Sequence, residues 1–213
     1  MTGEQKGHKW FASIYDRMMA RAERSFMRRV REEIAGGAKG RVLEVGAGTG
    51  ANFPYYNDHA EEIVATEPDP YMLERARRRA EEVGRSIDLR QAPAEQLPFE
   101  DDSFDTDVST LVMCSVREPL RALSEVRRVL KPSGQLRMYE HVRYEHAFGA
   151  FWQDAITPLW SWFGAGCHPN RDTASFVRQA GFDFEQLELT KPHPPIPPMI
   201  FARPHITGIA RPV

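Results

Sequence analysis

The chain is 213 residues long, with 41% hydrophobic and 10% aromatic residues, enough for one domain with a sizeable core and too apolar for a disordered polypeptide. Lys and Arg total 28 against 30 Asp and Glu, a formal charge of −2 that provides no global field for nucleic acid or anionic lipid. Two cysteines, Cys114 and Cys167, are too few for a disulfide framework and fit a reducing cytoplasm, and no apolar run is long enough for a membrane span or placed for a secretory signal.

In chain order, His8 to Ile34 reads as a helix. Trp10, Phe11, Ile14, Met18, Ala22, Phe26 and Val30 recur at spacings of three and four, until Gly36, Gly37 and Gly40 stop the pattern. Its other face carries Arg17, Arg21, Arg24, Arg28 and Arg31, diluted by Glu23, Glu32 and Glu33, and reads as a solvated face; peripheral lipid contact is the sharper alternative. Strands then alternate with helices. Val42–Val45, Ile63–Thr66, Ile87–Arg90, Asp107–Cys114 and Gln135–His141 are short apolar runs. Tyr71–Val83 and Pro119–Leu130 are the clearest helices between them, the second closed by Lys131-Pro132-Ser133-Gly134. This grammar predicts a parallel sheet with helices on both faces.

Beyond His141 the alternation breaks. Ala147 to Phe163 holds three of the four tryptophans. Phe148, Phe151, Trp152, Ile156, Leu159, Trp160 and Phe163 have helical spacing, bent at Pro158, and are expected to pack on the sheet while an edge roofs an apolar pocket. Asp172-Thr173 caps a helix through Ala180. Phe182–Leu189 and Ile200–Ala210, the latter interrupted by Pro204, read as an antiparallel pair around a proline-rich loop at Pro194 to Met199, so the sheet is mixed.

The segment Val42-Leu43-Glu44-Val45-Gly46-Ala47-Gly48-Thr49-Gly50 sits at the first strand-to-helix turn. Glycines there let backbone N–H groups approach a ligand closely. The third glycine comes one residue too early for a dinucleotide fingerprint, and Glu44 disfavours a pyrophosphate while suiting an ammonium group. An amino acid joined to a nucleoside fits both features. About 20 residues on, Glu67 ends the second strand before Pro68, where a carboxylate accepts two hydrogen bonds from a ribose diol.

With Ala94-Glu95-Gln96-Leu97-Pro98-Phe99, Ser103-Phe104-Asp105 and Leu130-Lys131-Pro132-Ser133-Gly134, these motifs resemble the class I S-adenosylmethionine-dependent methyltransferases from about Arg41 to His141. The resemblance implies a Rossmann-like seven-stranded mixed sheet of order 3-2-1-4-5-7-6, with helices on both faces and an aromatic-rich insertion after strand five. It implies one domain, with residues 1–35 as a helical cap, 36–141 as the S-adenosylmethionine-binding core and 142–213 on the acceptor side. Glu44 would reach the methionine amino group and Gly46, Ala47, Gly48, Gly50 and Asn52 would cradle the methionine moiety. Glu67 and Pro68 would hold the ribose, Ala94 and Glu95 the adenine, and Thr110, Leu111 and Val112 would line the reactive end. Tyr15 lies where relatives place a tyrosine near the cofactor carboxylate. Pro93 stands where many relatives have Asp, leaving any contact to the adenine amine to Glu95.

Thr110 to Val116, Glu140-His141-Val142, Phe151-Trp152-Gln153, Gly166-Cys167 and Arg203-Pro204-His205-Ile206-x-Gly208 are similar to the branch containing the mammalian microsomal alkyl-thiol methyltransferases. Members of that branch carry a hydrophobic N-terminal anchor, and this sequence starts where it would end. A small apolar acceptor is implied, thiol or sulfide first. A quinone precursor or phospholipid headgroup, or a silent cofactor-binding regulatory subunit, are the other readings. Methyl transfer from a sulfonium is an in-line displacement that needs alignment and exclusion of water more than catalytic groups. His141, at the end of strand five, is the candidate base, with a ring that merely bonds a carbonyl as the bland alternative. His146 and His168 are weaker candidates on loops. Glu140 reads as structural. Cys114 reads as a small core residue, and neither cysteine has zinc-ligand spacing from another cysteine or histidine, so no metal is expected.

Overall fold

The computed structural model describes residues 13, 17, 20, 22–164, 166–191 and 202–213. Tyr15 and the proline-rich loop at Pro194 to Met199 lie outside these. In sequence order, a π-helical stretch (Glu23–Met27) runs into α1 (Arg28–Ile34), followed by β1 (Gly40–Val45), a 3-10 turn (Phe53–Tyr55), β2 (Ala60–Thr66), α2 (Pro70–Val83), β3 (Ile87–Arg90) and β4 (Phe104–Thr110). Then come α3 (Pro119–Val129), β5 (Leu130–His141), α4 (Ala147–Phe163), α5 (Thr173–Gln179), β6 (Phe182–Thr190) and β7 (His205–Pro212).

The strands form one sheet of order β3-β2-β1-β4-β5-β7-β6. β1 pairs in parallel with β2 and β4, and β4 with β5, whereas β7 runs antiparallel to both β5 and β6. This is the order and the mixed character expected. Alternation along β1 feeds two cores. Leu43 and Val45 join Leu123, Val126 and Val177 of α3 and α5, while Val42 joins Ile34, Ala76 and Ala80 of α1 and α2 on the opposite face. Helices therefore cover both faces. α2 starts where Asp69 Oδ1 accepts the Tyr71 and Met72 amides at 2.8 and 3.2 Å, with Pro70 leading the helix.

Four local expectations are corrected. β4 ends at Thr110 instead of Cys114, because Leu111 adopts φ +60 and the following amides turn toward Glu140. β5 begins at Leu130, paired with Phe104. The Lys131 to Gly134 turn is absorbed as a bulge before pairing resumes at Gln135 and Thr106. Arg31 does not belong to a solvated face: it is buried, with Glu23 and Asn52 as partners. The aromatic stripe of α4 faces outward. Phe148, Phe151, Trp152, Leu159, Trp162 and Phe163 are exposed, while Gly149, Ala150, Gln153 and Thr157 form the buried face. Gln153 anchors that face by donating to the carbonyls of Val142 and Pro169 and accepting the Tyr144 amide. No described helix is long and apolar enough to cross a membrane.

Candidate active site

The site forms at the C-terminal ends of β1, β2, β4 and β5, the edge at which open α/β sheets bind ligands. Gly46 and Gly48 follow β1 with φ of +66 and +58. A Cβ on Gly46 would meet the Val112 methyl carbons at 2.7 and 2.8 Å, so this glycine lets the loop after β4 close against the turn. A Cβ on Gly48 would meet nothing within 4 Å, so the turn presents bare backbone to open space. The Ala47 amide donates to Thr66 O and the Gly50 amide to Ala47 O, both at 2.9 Å, which fixes the turn against β2.

Glu67 is buried at the tip of β2. Its Oε2 accepts the Gly48 amide and its Oε1 the Asp69 amide, each at 2.9 Å. Burial raises its carboxyl to about 7 against the pull of those two N–H groups. Each oxygen keeps a lone pair for a further donor. Pro68 follows with its carbonyl accepting from Gln91 Nε2 at 3.1 Å.

Beneath the turn lies a buried polar network. Glu44 Oε1 accepts from Asn52 Nδ2 at 3.0 Å and Oε2 from Tyr56 Oη at 2.6 Å. Asn52 also donates to Thr110 Oγ1 at 3.2 Å, and its Oδ1 accepts from Arg31 Nη1 at 2.6 Å. Burial raises the Glu44 carboxyl to about 7, opposed by Tyr56, Asn52 and Arg31. Arg31 and Tyr56 are the members that sequence reasoning missed: a periodic pattern assigns a face to Arg31 and says nothing of what packs on it.

Ala94 packs its methyl into the core with Leu97. Glu95 is corrected. Its Oε1 accepts the amides of Arg117 and Glu118 at 2.9 and 3.3 Å, just ahead of α3, where Glu118 makes no side-chain cap of its own. One oxygen of its carboxylate is thus engaged at that helix entry.

Thr110, Leu111 and Val112 form the bend after β4, and Glu140 holds it. Completely buried, Glu140 Oε1 accepts the amides of Val112 and Met113 at 2.7 and 3.0 Å and the Ser109 hydroxyl at 3.1 Å, and Oε2 accepts the Cys114 amide at 3.3 Å. One carboxylate thus gathers three successive N–H groups, the structural role expected of it.

His141 closes β5 and is 5% exposed. Its Nδ1 lies 3.5 Å from Cys114 Sγ and 3.8 Å from Cys167 Sγ, and the two sulfurs are 3.6 Å apart. Its Nε2 is buried without a partner among the described residues, and the His205 ring lies 4.4 Å away, itself stacked on Tyr139. Burial pulls the His141 ring toward neutrality, but Cys167 and Glu140 outweigh it, so the net direction is up. Cys114 and His141 close the imidazole and thiol neighbourhood of Cys167 and lower it, while Cys167 and burial push Cys114 up.

Cys167 reaches this position through the loop after α4. Gly166 takes φ +87, the Cys167 amide donates to Gly164 O, and the His168 amide donates to Cys114 O at 2.6 Å. His146 instead caps α4 by accepting the Gly149 amide. The sequence separates the three members of the cluster by 26 to 53 residues, so no spacing rule finds them.

Residues 43–138 match the family described as a methyltransferase domain. The chain is 36% identical over 181 residues to thiol S-methyltransferase TMT1B of Homo sapiens, covering 82% of this chain and 72% of that protein. It is 33% identical over 205 residues to thiol S-methyltransferase TMT1A of Homo sapiens, covering 94% and 82%. Among solved structures, a putative methyltransferase from Bacillus halodurans superposes with a TM-score of 0.71 at 20% identity, covering 88% of this chain and 99% of that one.

Proposed function

We propose that this chain, which belongs to the class I S-adenosylmethionine-dependent methyltransferases, moves a methyl group onto a small thiol or sulfide. The reading is carried by its likeness to two human thiol S-methyltransferases over most of their length. The site's chemistry supports it: where the strand ends meet, a histidine and two sulfurs gather beside the Val112 bend, with the Arg171 guanidinium on the Met113 carbonyl as a neighbouring positive charge that favours a thiolate.

The residues present fit the cofactor. Gly48 lacks the Cβ that would occupy open space, and the buried Glu67 carboxylate beside it retains acceptor capacity for a diol. When bound, S-adenosylmethionine supplies an electrophilic methyl group on a sulfonium. Glu67 would hold its ribose. Glu44 would reach the methionine amino group with the lone pairs that Asn52 and Tyr56 leave it, the two partners fixing its orientation. Val112, pressed on Gly46 and pinned by Glu140, sets the wall of the reactive end. Tyr15 keeps its proposed place near the cofactor carboxylate.

The acceptor must lose its proton at sulfur, and an ordinary thiol is only a few per cent thiolate at neutral pH. That task falls to the His141 cluster. A cytoplasmic setting is part of the proposal, supported by two free buried thiols.

The test is a panel of alkyl thiols, sulfide, quinols and phospholipids incubated with the protein and methyl-labelled donor, read by mass spectrometry. S-methylated thiol or sulfide is the expected product. Label confined to quinols or lipids would replace the thiol reading.

A further inference from the structure

The Cys114, His141 and Cys167 side chains converge from three separate segments, with one ligand atom each and all three within 4.8 Å of one another. We propose that they bind one thiophilic divalent metal ion, zinc in the first place, leaving a fourth coordination position for the sulfur of the acceptor. The proposal rests on the thiol reading above and deepens it.

The triangle of donor atoms has edges of 3.6 Å between the sulfurs and 3.5 and 3.8 Å from sulfur to nitrogen. A tetrahedral zinc with Zn–S near 2.3 Å and Zn–N near 2.0 to 2.1 Å requires edges of about 3.8 Å between sulfurs and about 3.6 Å between sulfur and nitrogen. The observed triangle matches that tetrahedral face to within a few tenths of an ångström. A disulfide would need the sulfurs at about 2.0 Å. Two thiolates and an imidazole are also the soft donor set that selects zinc over hard cations.

The scaffold holds the donors in place. Cys114 is fixed by its amide on Glu140 and its carbonyl on the His168 amide, and His141 ends a strand paired on both sides, with His205 against its ring. All three residues are buried, which limits competition from water for the donors. Among the described residues no fourth histidine, cysteine or carboxylate joins the group, since the nearby Glu140 is engaged by backbone amides. Three protein ligands with one open position is the pattern of a catalytic centre, whereas structural zinc sites are closed by four.

Binding of the ion releases the two cysteine protons. An acceptor R–SH then takes the open position, loses its proton to solvent and stays on the metal as a thiolate, without change of oxidation state. Its lone pair forms the new S–CH3 bond as the sulfonium C–S bond breaks with its electron pair remaining on the donor sulfur. The thioether product is neutral and a weaker ligand than thiolate, which favours its release. In this arrangement the His141 ring is a ligand, and the metal performs the deprotonation assigned above to the cluster.

The test uses the full chain, reduced and incubated with Zn2+ or Co2+, then freed of excess metal. About one bound ion per chain is expected from the single set of ligands, and the Co2+ form should show the sulfur-to-metal charge-transfer and visible bands of a four-coordinate site. A small alkyl thiol should shift these bands. Cys114→Ser, Cys167→Ser and His141→Asn should each abolish the charge-transfer signature, while His59→Asn, on the exposed surface, retains it. Chelation should lower thiol methylation about tenfold or more, with donor binding unchanged.

No retained metal in the wild-type chain, together with two titratable free thiols, would overturn the site even if thiols are methylated; that result leaves the thiol reading standing. A Co2+ spectrum indifferent to added thiol would overturn the open position. Failure of the acceptor panel beside a thiol-responsive Co2+ spectrum would instead strike the functional reading. Because measurements on the wild-type chain decide the first two outcomes, misfolded variants do not obscure them.

Discussion

The backbone amide of Gly48 donates to Glu67 Oε2 at 2.9 Å, so the two elements that flank the proposed donor pocket are joined by one charge-assisted hydrogen bond. Burial sets the Glu67 carboxyl at about 7, and a diol donates best to the ionised form. The demethylated donor is therefore expected to bind about tenfold more tightly at pH 8 than at pH 6, with proton release at pH 6. Calorimetry in buffers of different ionisation enthalpy measures both. Glu67→Gln should weaken binding by about 1.5 to 3 kcal/mol and flatten the pH dependence. An unchanged affinity would remove Glu67 from the site.

Glu67 and a second buried acid, Glu44, make stability depend on pH in the opposite sense. Glu44 and Glu67 both have folded-state values raised to about 7 by burial, so the folded chain holds their protons more strongly than the unfolded chain does. Their favourable contribution is full below the unfolded value and is lost as pH rises through about 7. Glu67→Gln turns an NH2 toward an amide donor but removes the titration, so its melting temperature relative to wild type should be higher at pH 8 than at pH 5. Equal shifts at both pH values would show that burial does not set this carboxyl.

Asn52 joins Arg31, Glu44 and Thr110 at 2.6, 3.0 and 3.2 Å inside the protein. Its truncation to Ala leaves a buried guanidinium and a buried carboxylate without their shared partner. A loss of about 2 to 4 kcal/mol in urea unfolding is expected. A loss below about 0.5 kcal/mol, the range of an ordinary surface change, would mean that water replaces the amide without penalty.

Asp107 is completely buried in the middle of β4, in register with Leu43 and Leu136, and neither carboxyl oxygen has a partner among the described residues. Burial, with Glu44 nearby, raises it well above the usual carboxylate range. Asp107→Val is expected to stabilise the fold by about 1 to 3 kcal/mol at pH 8. The gain should shrink at pH 5, where the wild-type acid is protonated at lower cost. Denaturation midpoints at the two pH values decide it, and a destabilised variant would show that Asp107 has a partner in solution.

Glu140 accepts the amides of Val112, Met113 and Cys114 and thereby shapes the bend that begins at Leu111 with φ +60. Gln keeps one acceptor oxygen and turns an NH2 toward an amide donor. Glu140→Gln should cost about 2 to 4 kcal/mol, and hydrogen exchange should report faster opening at residues 112–114. Unaltered protection there would separate the bend from this carboxylate.

Short-range pattern alone carried much of this protein. The alternation of strands and helices, the glycine turn at Gly46 to Gly50 and the acid at the tip of β2 are legible because each depends on neighbours within one turn or one strand, where side-chain periodicity and backbone freedom act directly. The bend that ends β4 early, the burial of Arg31 on Asn52, the outward aromatics of α4 and the turn of Glu95 toward α3 depend on which surfaces meet. Cys114, His141 and Cys167 show this most plainly. Their spacing in sequence corresponds to no ligand pattern, and only the closing of β4, β5 and the loop after α4 brings their donor atoms together, because packing and long-range hydrogen bonds, rather than the chain's local order, set those distances.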